Sequence, residues 1–485
     1  MESAARLQEG DDQRARMARE ILSVLERLIA QKPDQGGQRD LLISEASWWA
    51  TAPDKPLLDT VQRSFVARQL CIRAADSDGT WRNSLSYIGD PGPLDQAVCT
   101  YDYDRAEVRF TASSPLAQPY SWAASDELEV DAWYTRTGMS AITAWLVALA
   151  RMAAERRRRH LVLTNRLYHE TDILFDMARL NHVQVRRHDS CDELLEAASV
   201  ADRPAVIFLD SSRPDGDAAT LTRVLQSLDP ERVGCVVWDN TCAPASDSPF
   251  GPTLSAADLP VALFVIRSHA KLDQLGLEFC SLGSMAQVSR PGASGLSPAW
   301  RDGMRRLMSD SLAVTGACAS PATMRLLAAL GLPNQELSAP ANRCLREANV
   351  VGGEILALEL DGLEGFRVEH SDHRCFVEIH LLDLPAPKTI GGPPTWPAWD
   401  ELDAELTAVE QRAAERSIPV WKSASFGFHY TGLSWYASED PPRPQGQPHT
   451  VLRICFGMHD PAVAREVAEM ITDQLTKKQA WTASV

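Results

Sequence analysis

The sequence predicts an α/β chain with a large, mostly parallel sheet followed by a smaller α+β region, and three observations carry that prediction. From about residue 130, strand and helix patterns alternate. Runs such as "AVIFLD", "GCVVWD" and "LPVALFVI" have no polar alternation, as expected of parallel strands covered on both faces. Beyond about residue 360 the order changes to short strands grouped around one helix, which suits a separate α+β unit. A chain of 485 residues also exceeds the size at which a single core stops growing. The expected divisions are an N-terminal extension over 1–100, a large domain over 101–335 and a small domain over 336–485.

The elements follow in order. "MAREILSVLERLIAQ" is an amphipathic helix stopped by "KPDQGG", and the polar, Trp-containing stretches after it read as an extension that wraps a core or a partner. A helix opens after Gly138. Then come strand "HLVLTN", helix "TDILFDMARL", strand "VQVRRH", helix "CDELLEAAS", strand "AVIFLD", helix "AATLTRVLQSL" and strands "GCVVWD" and "VALFVI". A helical region from about Pro298 to Leu358 is interrupted at "GLPNQ". "FRVEHSD" and "CFVEIHLL" precede a Pro-rich loop at 384–399, one helix, and strands "HYTGLSW" and "TVLRICFG".

Composition narrows the function classes. A net charge of −17 argues against nucleic acid or an anionic membrane as partner. "RRRR" at 156–159 follows a helix and reads as compensation of its C-terminal dipole. Ten cysteines without a CxxC pair fit free thiols rather than a disulfide framework or zinc site, and no metal is expected. His370 and His373 have no third ligand nearby and read as surface residues. The charged start, "MESAARLQEGDDQRARMARE", is unlike a signal peptide, and no apolar run reaches the length of a membrane span, so a cytoplasmic location is expected.

Candidate chemistry gathers at strand ends, where open α/β sheets place ligands. Lys271 lies five residues past "LPVALFVI", and Asp239 closes "GCVVWD". "TRTGMSAITAW" sets Gly138 and Met139 at a helix N-terminus suited to phosphate, with Thr137 and Ser140 as hydroxyl donors. "LTNRLYHET" supplies Tyr168 as an aromatic face. Arg453 sits inside the otherwise apolar "TVLRICFG", where an isolated charge would be costly, so a carboxylate partner from the protein or a ligand is expected.

In this order the motifs resemble the fold-type I pyridoxal 5'-phosphate (PLP) enzymes, most closely the Cys/Met metabolism branch that contains cystathionine γ-synthase, over roughly residues 100–475. "TGMSAI" is similar to that branch's phosphate loop, "YHET" to its Y-x-x-T, "WDNT" to its DNT, and Ser268 with Lys271 to its S-x-[ST]-K. "LRICFGMHDP" and "SFG" at 425–427 are similar to its substrate-carboxylate segment. The resemblance implies a seven-stranded-type sheet in a PLP-binding large domain, with Lys271 as the Schiff-base lysine and proton shuttle and Asp239 on the pyridine nitrogen. It further implies Tyr168 stacked on the ring, with Gly138, Met139, Thr137, Ser268 and His269 around the cofactor and Arg453 and Ser425 on the substrate. Tyr103 and Arg105 would reach into a neighbouring subunit of a homodimer or homotetramer.

The chain departs from the pattern at several points. Ala270 replaces the threonine before the lysine, Arg213 stands nearest where the family has an asparagine, and the loop "LDQLGLEFCSLGS" is more like the aminotransferase branch. That second branch carries a phosphate-binding arginine where this chain has Phe279, preceded by Glu278. The expected reaction is γ- (or β-) elimination or replacement on an amino acid through a vinylglycine-type intermediate. S-adenosylmethionine or an O-acyl homoserine would be the donor and a carbon or sulfur nucleophile the co-substrate, in specialised (natural-product) metabolism. The alternative is a class I/II-like aminotransferase.

Overall fold

A computed structural model describes residues 2–31, 37–76, 127–157, 159–177, 183–213, 215–243, 255, 259–292, 295–332, 335–385, 397–423, 428–438 and 449–477. Tyr103, Arg105 and Ser425 lie outside the described residues. The chain divides into two compact units, one of residues 1–71, 275–277 and 339–485 and the other of 72–274 and 278–338.

Three helices open the first unit: α1 (Glu2–Gln31), α2 (Gln38–Ala50) and α3 (Leu57–Asp76). One stripe of α1, formed by Met17, Ile21, Val24, Leu25 and Leu28, is buried, as its heptad-like spacing dictates. Sequence periodicity found only the first of the three. In α2, Leu42 and Trp49 are buried while Leu41 and Ile43 face outward, so no single apolar stripe marks the helix. The buried side of α3 is made of Thr60, Val61, Ser64, Ala67, Cys71 and Ala74, too small and polar to announce a core face. A bidentate ion pair from Arg63 to Glu45, whose carboxylate also accepts Trp49 Nε1 at 3.0 Å, fastens α3 to α2.

The second unit holds β1 (Glu129–Thr135), α4 (Gly138–Glu155), β2 (His160–Thr164), α5 (His169–Met177), β3 (Val183–Arg187), α6 (Cys191–Ser199), β4 (Ala205–Asp210), α7 (Ala218–Ser227), β5 (Val233–Asp239), β6 (Ala262–Ser268), β7 (Gly283–Ser289), α8 (Ser297–Thr315) and α9 (Pro321–Leu330). Its sheet has seven strands in the order β1-β7-β6-β5-β4-β2-β3, and only β7 runs against the rest. Successive residues point to opposite faces. Val206, Phe208, Val237, Phe264 and Ile266 therefore pack with α4 and α8 on one side. Ile207, Leu209, Val236, Trp238, Leu263 and Val265 pack with α6 and α7 on the other. The long apolar runs are legible for this reason: both faces are dry.

Two strands of this sheet escaped sequence reading. β7, "GSMAQVS", buries Ser284, Gln287 and Ser289, and such a polar run does not look like a covered strand. β1 is a half-covered edge strand whose first three residues are not buried.

The remainder of the first unit comprises α10 (Gln335–Leu360), β8 (Phe366–Glu369), β9 (Val377–Pro385), α11 (Pro397–Glu415), β10 (Val420–Lys422), β11 (Thr431–Ser438), β12 (His449–Cys455) and α12 (Pro461–Thr476). Its five-stranded sheet runs β10-β11-β12-β9-β8. Val377, Ile379, Leu381, Leu433, Leu452 and Ile454 pack with the helices on one face. The alternate residues, among them Glu378, His380, Ser434, Tyr436 and Arg453, occupy the other. β10, at three residues, was too short to anticipate.

Among the described residues, no helix is long and apolar enough to cross a membrane.

Candidate functional site

The parallel strands β1, β2, β4, β5 and β6 end along one edge of the large sheet, and the expected site residues of the second unit collect there. The last residues of β4 and β5, Asp210 and Asp239, are paired in register, and both are buried. Asp210 accepts hydrogen bonds from the backbone N–H of Tyr168 and of Ser212, each at 2.8 Å. Asp239 accepts from Thr241, from its N–H at 3.0 Å and its hydroxyl at 2.6 Å. Burial raises the pKa of both carboxyls above the ordinary range, and the neighbouring Asp210 carboxyl raises Asp239 further. A buried carboxyl under that pressure gains most from a cation or a protonated ring nitrogen as ligand.

Next along the edge, the same Thr241 hydroxyl accepts the N–H of Ser268 at 3.0 Å, which joins Asp239 to the end of β6. Ser268 in turn lies against the start of α4, since a methyl placed on Gly138 would stand 3.0 Å from Ser268 Cβ. Thr137 caps α4: its hydroxyl accepts the N–H of Ser140 at 2.9 Å and lies 2.9 Å from the Ser140 hydroxyl. Thr171, in the first turn of α5, donates to the Met139 sulfur at 3.7 Å. The Tyr168 ring stands 4.6 Å, centroid to centroid, from His169. Thus Thr137, Gly138, Met139, Tyr168, Asp239 and Ser268 are linked by short contacts along one sheet edge.

Lys271 lies three residues past β6, and its Nζ donates to Glu278 Oε1 at 2.9 Å, both side chains being partly exposed. Backbone strain concentrates beyond it, for Leu275 (φ 57°) and Glu278 (φ 46°) are non-glycine residues held in the left-handed region. His269 is placed differently from its neighbours. It is buried, and its two ring nitrogens face Asp273 Oδ2, at 2.7 Å, and the Ser284 hydroxyl.

Sequence reading missed Arg267, Asp210, Asp273, Ser284 and Gly283. Asp210 had a usable signal, since it closes its strand as Asp239 does. Gly283 is required by space: a methyl there would come within 2.2 Å of the Thr137 carbonyl carbon and 2.5 Å of the Gly138 nitrogen. Arg213, the residue nearest to where the family has asparagine, is buried and turns back on Asp210 through its backbone N–H at 3.1 Å.

In the first unit, Arg453 is buried in β12, with Glu378 and Ser434 as its cross-strand neighbours. Its Nε donates to Ser434 Oγ at 3.3 Å, and its guanidinium carbon lies 5.5 Å from the Phe376 ring centre and 5.9 Å from that of Tyr436. Glu369, Glu378 and His380 bring three potential ligand atoms within 4.8 Å of one another. Arg367 holds Glu369, while Arg374 and the Tyr436 hydroxyl hold Glu378, so the cluster is an ion-pair network in which each carboxylate already has a cation.

No family model and no curated protein matches the chain. Among solved structures, the chain is similar to serine palmitoyltransferase of Sphingomonas wittichii, with 13% identity over 84% of this chain and 83% of that one and a TM-score of 0.46. It is similar to a cystathionine γ-lyase of Micromonospora echinospora, with 18% identity over 71% of this chain and 82% of that one and a TM-score of 0.43. A putative histidinol-phosphate aminotransferase of Erwinia carotovora atroseptica gives 15% identity over 75% and 87%, with a TM-score of 0.41.

Proposed function

We propose that the chain is a PLP-dependent enzyme acting on an amino acid. The observation that carries the reading is the linkage, along one sheet edge, of a buried carboxyl at the end of β5, a serine at the end of β6 and a glycine-led helix start, with Lys271 three residues beyond that serine.

The donor set fits the cofactor. Lys271 would hold it covalently, Asp239 would meet the pyridine nitrogen, and the N-terminus of α4 with Ser268 would receive the phosphate. When bound, PLP supplies an electron sink for charge developing on the substrate's α-carbon. The protein's own tasks are then distinct. Asp239 keeps a proton on the ring nitrogen. The Lys271 amine moves protons at the substrate carbon, and Glu278 accepts a hydrogen bond from it. Tyr168 would offer its ring as a stacking face. His269 is committed to Asp273 and Ser284, which suits a supporting role better than direct contact.

Arg453 would bind the substrate carboxylate in a two-pronged contact, the aromatic rings beside it excluding water. The reaction proposed is elimination or replacement at the γ- (or β-) carbon, with an activated amino acid such as S-adenosylmethionine or an O-acyl homoserine as donor. Ser425 is proposed at the same substrate end, and Tyr103 and Arg105 as residues shared across a homodimer. The loop after Lys271 favours a second reading, transamination.

The test is the visible spectrum of PLP-loaded protein during addition of each donor. Change with γ-activated donors only, absent in Lys271→Ala, supports elimination or replacement. Conversion to the pyridoxamine form by ordinary amino acids selects the aminotransferase. Absence of any visible band in loaded wild type rejects the cofactor.

A further inference from the structure

Arg267 is the penultimate residue of β6 and is fully buried, a costly place for a guanidinium unless every N–H is used. Its Nε and Nη2 donate to the two oxygens of Asp273, each at 2.7 Å. Its Nη1 donates to the backbone carbonyls of Asn240 at 2.7 Å and Ala243 at 2.8 Å. One planar group thus grips two loops. Asn240 follows Asp239 directly, and Asp273 follows Lys271 by two residues.

The grip extends to the other side of the lysine. Asp273 Oδ2 also meets His269 Nδ1, whose Nε2 reaches Ser284 on β7. Although burial acts to raise it, the Asp273 pKa is held well below the usual carboxylate range by Arg267 and His269. An ionised Asp273 can only accept, so Nδ1 donates to it, while Nε2 lies within hydrogen-bond reach of the Ser284 hydroxyl. Ser284, His269 and Asp273 follow the donor order of a nucleophilic triad, but none is more than 2% exposed, so they hold the loop instead of attacking a substrate. Further along, Gln274 bonds both the N–H and the carbonyl of Cys280, at 3.0 and 2.9 Å. Within this pinned segment the Lys271 side chain keeps 25% exposure, and its amine meets Glu278.

We propose that Arg267, Asp273, His269 and Ser284 form a buried positioning clamp that fixes the Asp239 loop and the Lys271 loop relative to each other. What the clamp positions for catalysis rests on the function proposed above, but its effect on Lys271 does not. The clamp keeps the lysine in register with Glu278, and loosening it lets the amine leave.

The experiment is trace acetylation of full-length, cofactor-free protein, read by mass spectrometry at Lys271 with the ion-paired Lys422 as internal standard. Wild type is compared with Asp273→Asn and Arg267→Lys, the latter keeping the charge without the fork. Ser284→Ala is the milder variant should those two fail to fold. Opening a partly exposed ion pair raises acetylation of Lys271 about threefold relative to Lys422 in Asp273→Asn and Arg267→Lys, and less, in the same direction, in Ser284→Ala. On PLP-loaded protein, the pH at which the visible band titrates shifts in the same variants. Acetylation of Lys271 equal to wild type in every folded variant, whether or not the melting temperature falls, overturns the clamp. If wild type shows no PLP band, the functional reading fails while the acetylation result still decides the clamp.

Discussion

Asp210 and Asp239 stand opposite each other at the ends of β4 and β5, two buried carboxyls whose charges oppose one another. After burial, Asp210 is the largest influence raising Asp239. Asp210→Asn therefore lowers the pKa of Asp239 while leaving its burial unchanged. Carboxyl titration by carbon-13 NMR of labelled aspartate checks this. The same variant keeps Lys271 and Thr241 in place, so loss of all PLP binding is not expected from it, whereas Asp239→Asn weakens catalysis by a factor on the order of a hundred or more.

Gly283 has the start of α4 directly above it. Gly283→Ala drives a methyl into backbone, not into a movable side chain, and should destabilise the fold by about 1–3 kcal/mol. It should also weaken binding of inorganic phosphate or PLP by displacing the Gly138 amide. Urea denaturation and a phosphate titration measure the two effects separately.

Arg453 places a planar fork beside Phe376 and Tyr436. Arg453→Lys keeps the charge but loses the fork, so KM for a carboxylate-bearing substrate rises about tenfold or more with a smaller change in kcat. Equal KM values in the variant and wild type would remove Arg453 from the substrate site.

Acid should weaken the fold through two histidines. Burial pushes His429 and His459 down to about 4, from an ordinary 6.5. Both are neutral in the folded chain near neutral pH. Below 6.5 the unfolded chain binds the extra protons, so the histidines' contribution falls as pH drops from 6.5 towards 4, by about 3 kcal/mol for each at full shift, while the raised carboxyls of Glu20 and Asp239 work in the opposite direction. The difference in melting temperature between wild type and His459→Gln, measured across that range, isolates the histidine's share, and the variant should lose less stability than wild type as pH falls.

How much could be read beforehand depended on where the chemistry met the core. β4, β5 and β6 are apolar runs because both faces are covered, and Asp239, Ser268 and Lys271 stand out at or just beyond the ends of such runs. Thr137 and Gly138 were visible as a helix start, and in the fold Gly138 lies against Ser268. Arg267 was invisible: as the residue after "VALFVI" it looked like an ordinary strand end, and its partners lie 6, 27 and 24 residues away. β7 stayed hidden because its buried polar residues serve neighbours that only the fold supplies, Ser284 to His269 and Gln287 to the Arg301 carbonyl. His269, which the resemblance set beside the cofactor, is buried with its ring nitrogens against Asp273 and Ser284.

The most direct test of the central claim is borohydride reduction of PLP-loaded protein, followed by digestion and mass mapping. The expected product is a stable phosphopyridoxyl adduct on Lys271, lost in Lys271→Ala and weakened in Asp239→Asn. An adduct confined to other lysines, or none in wild type, would contradict it.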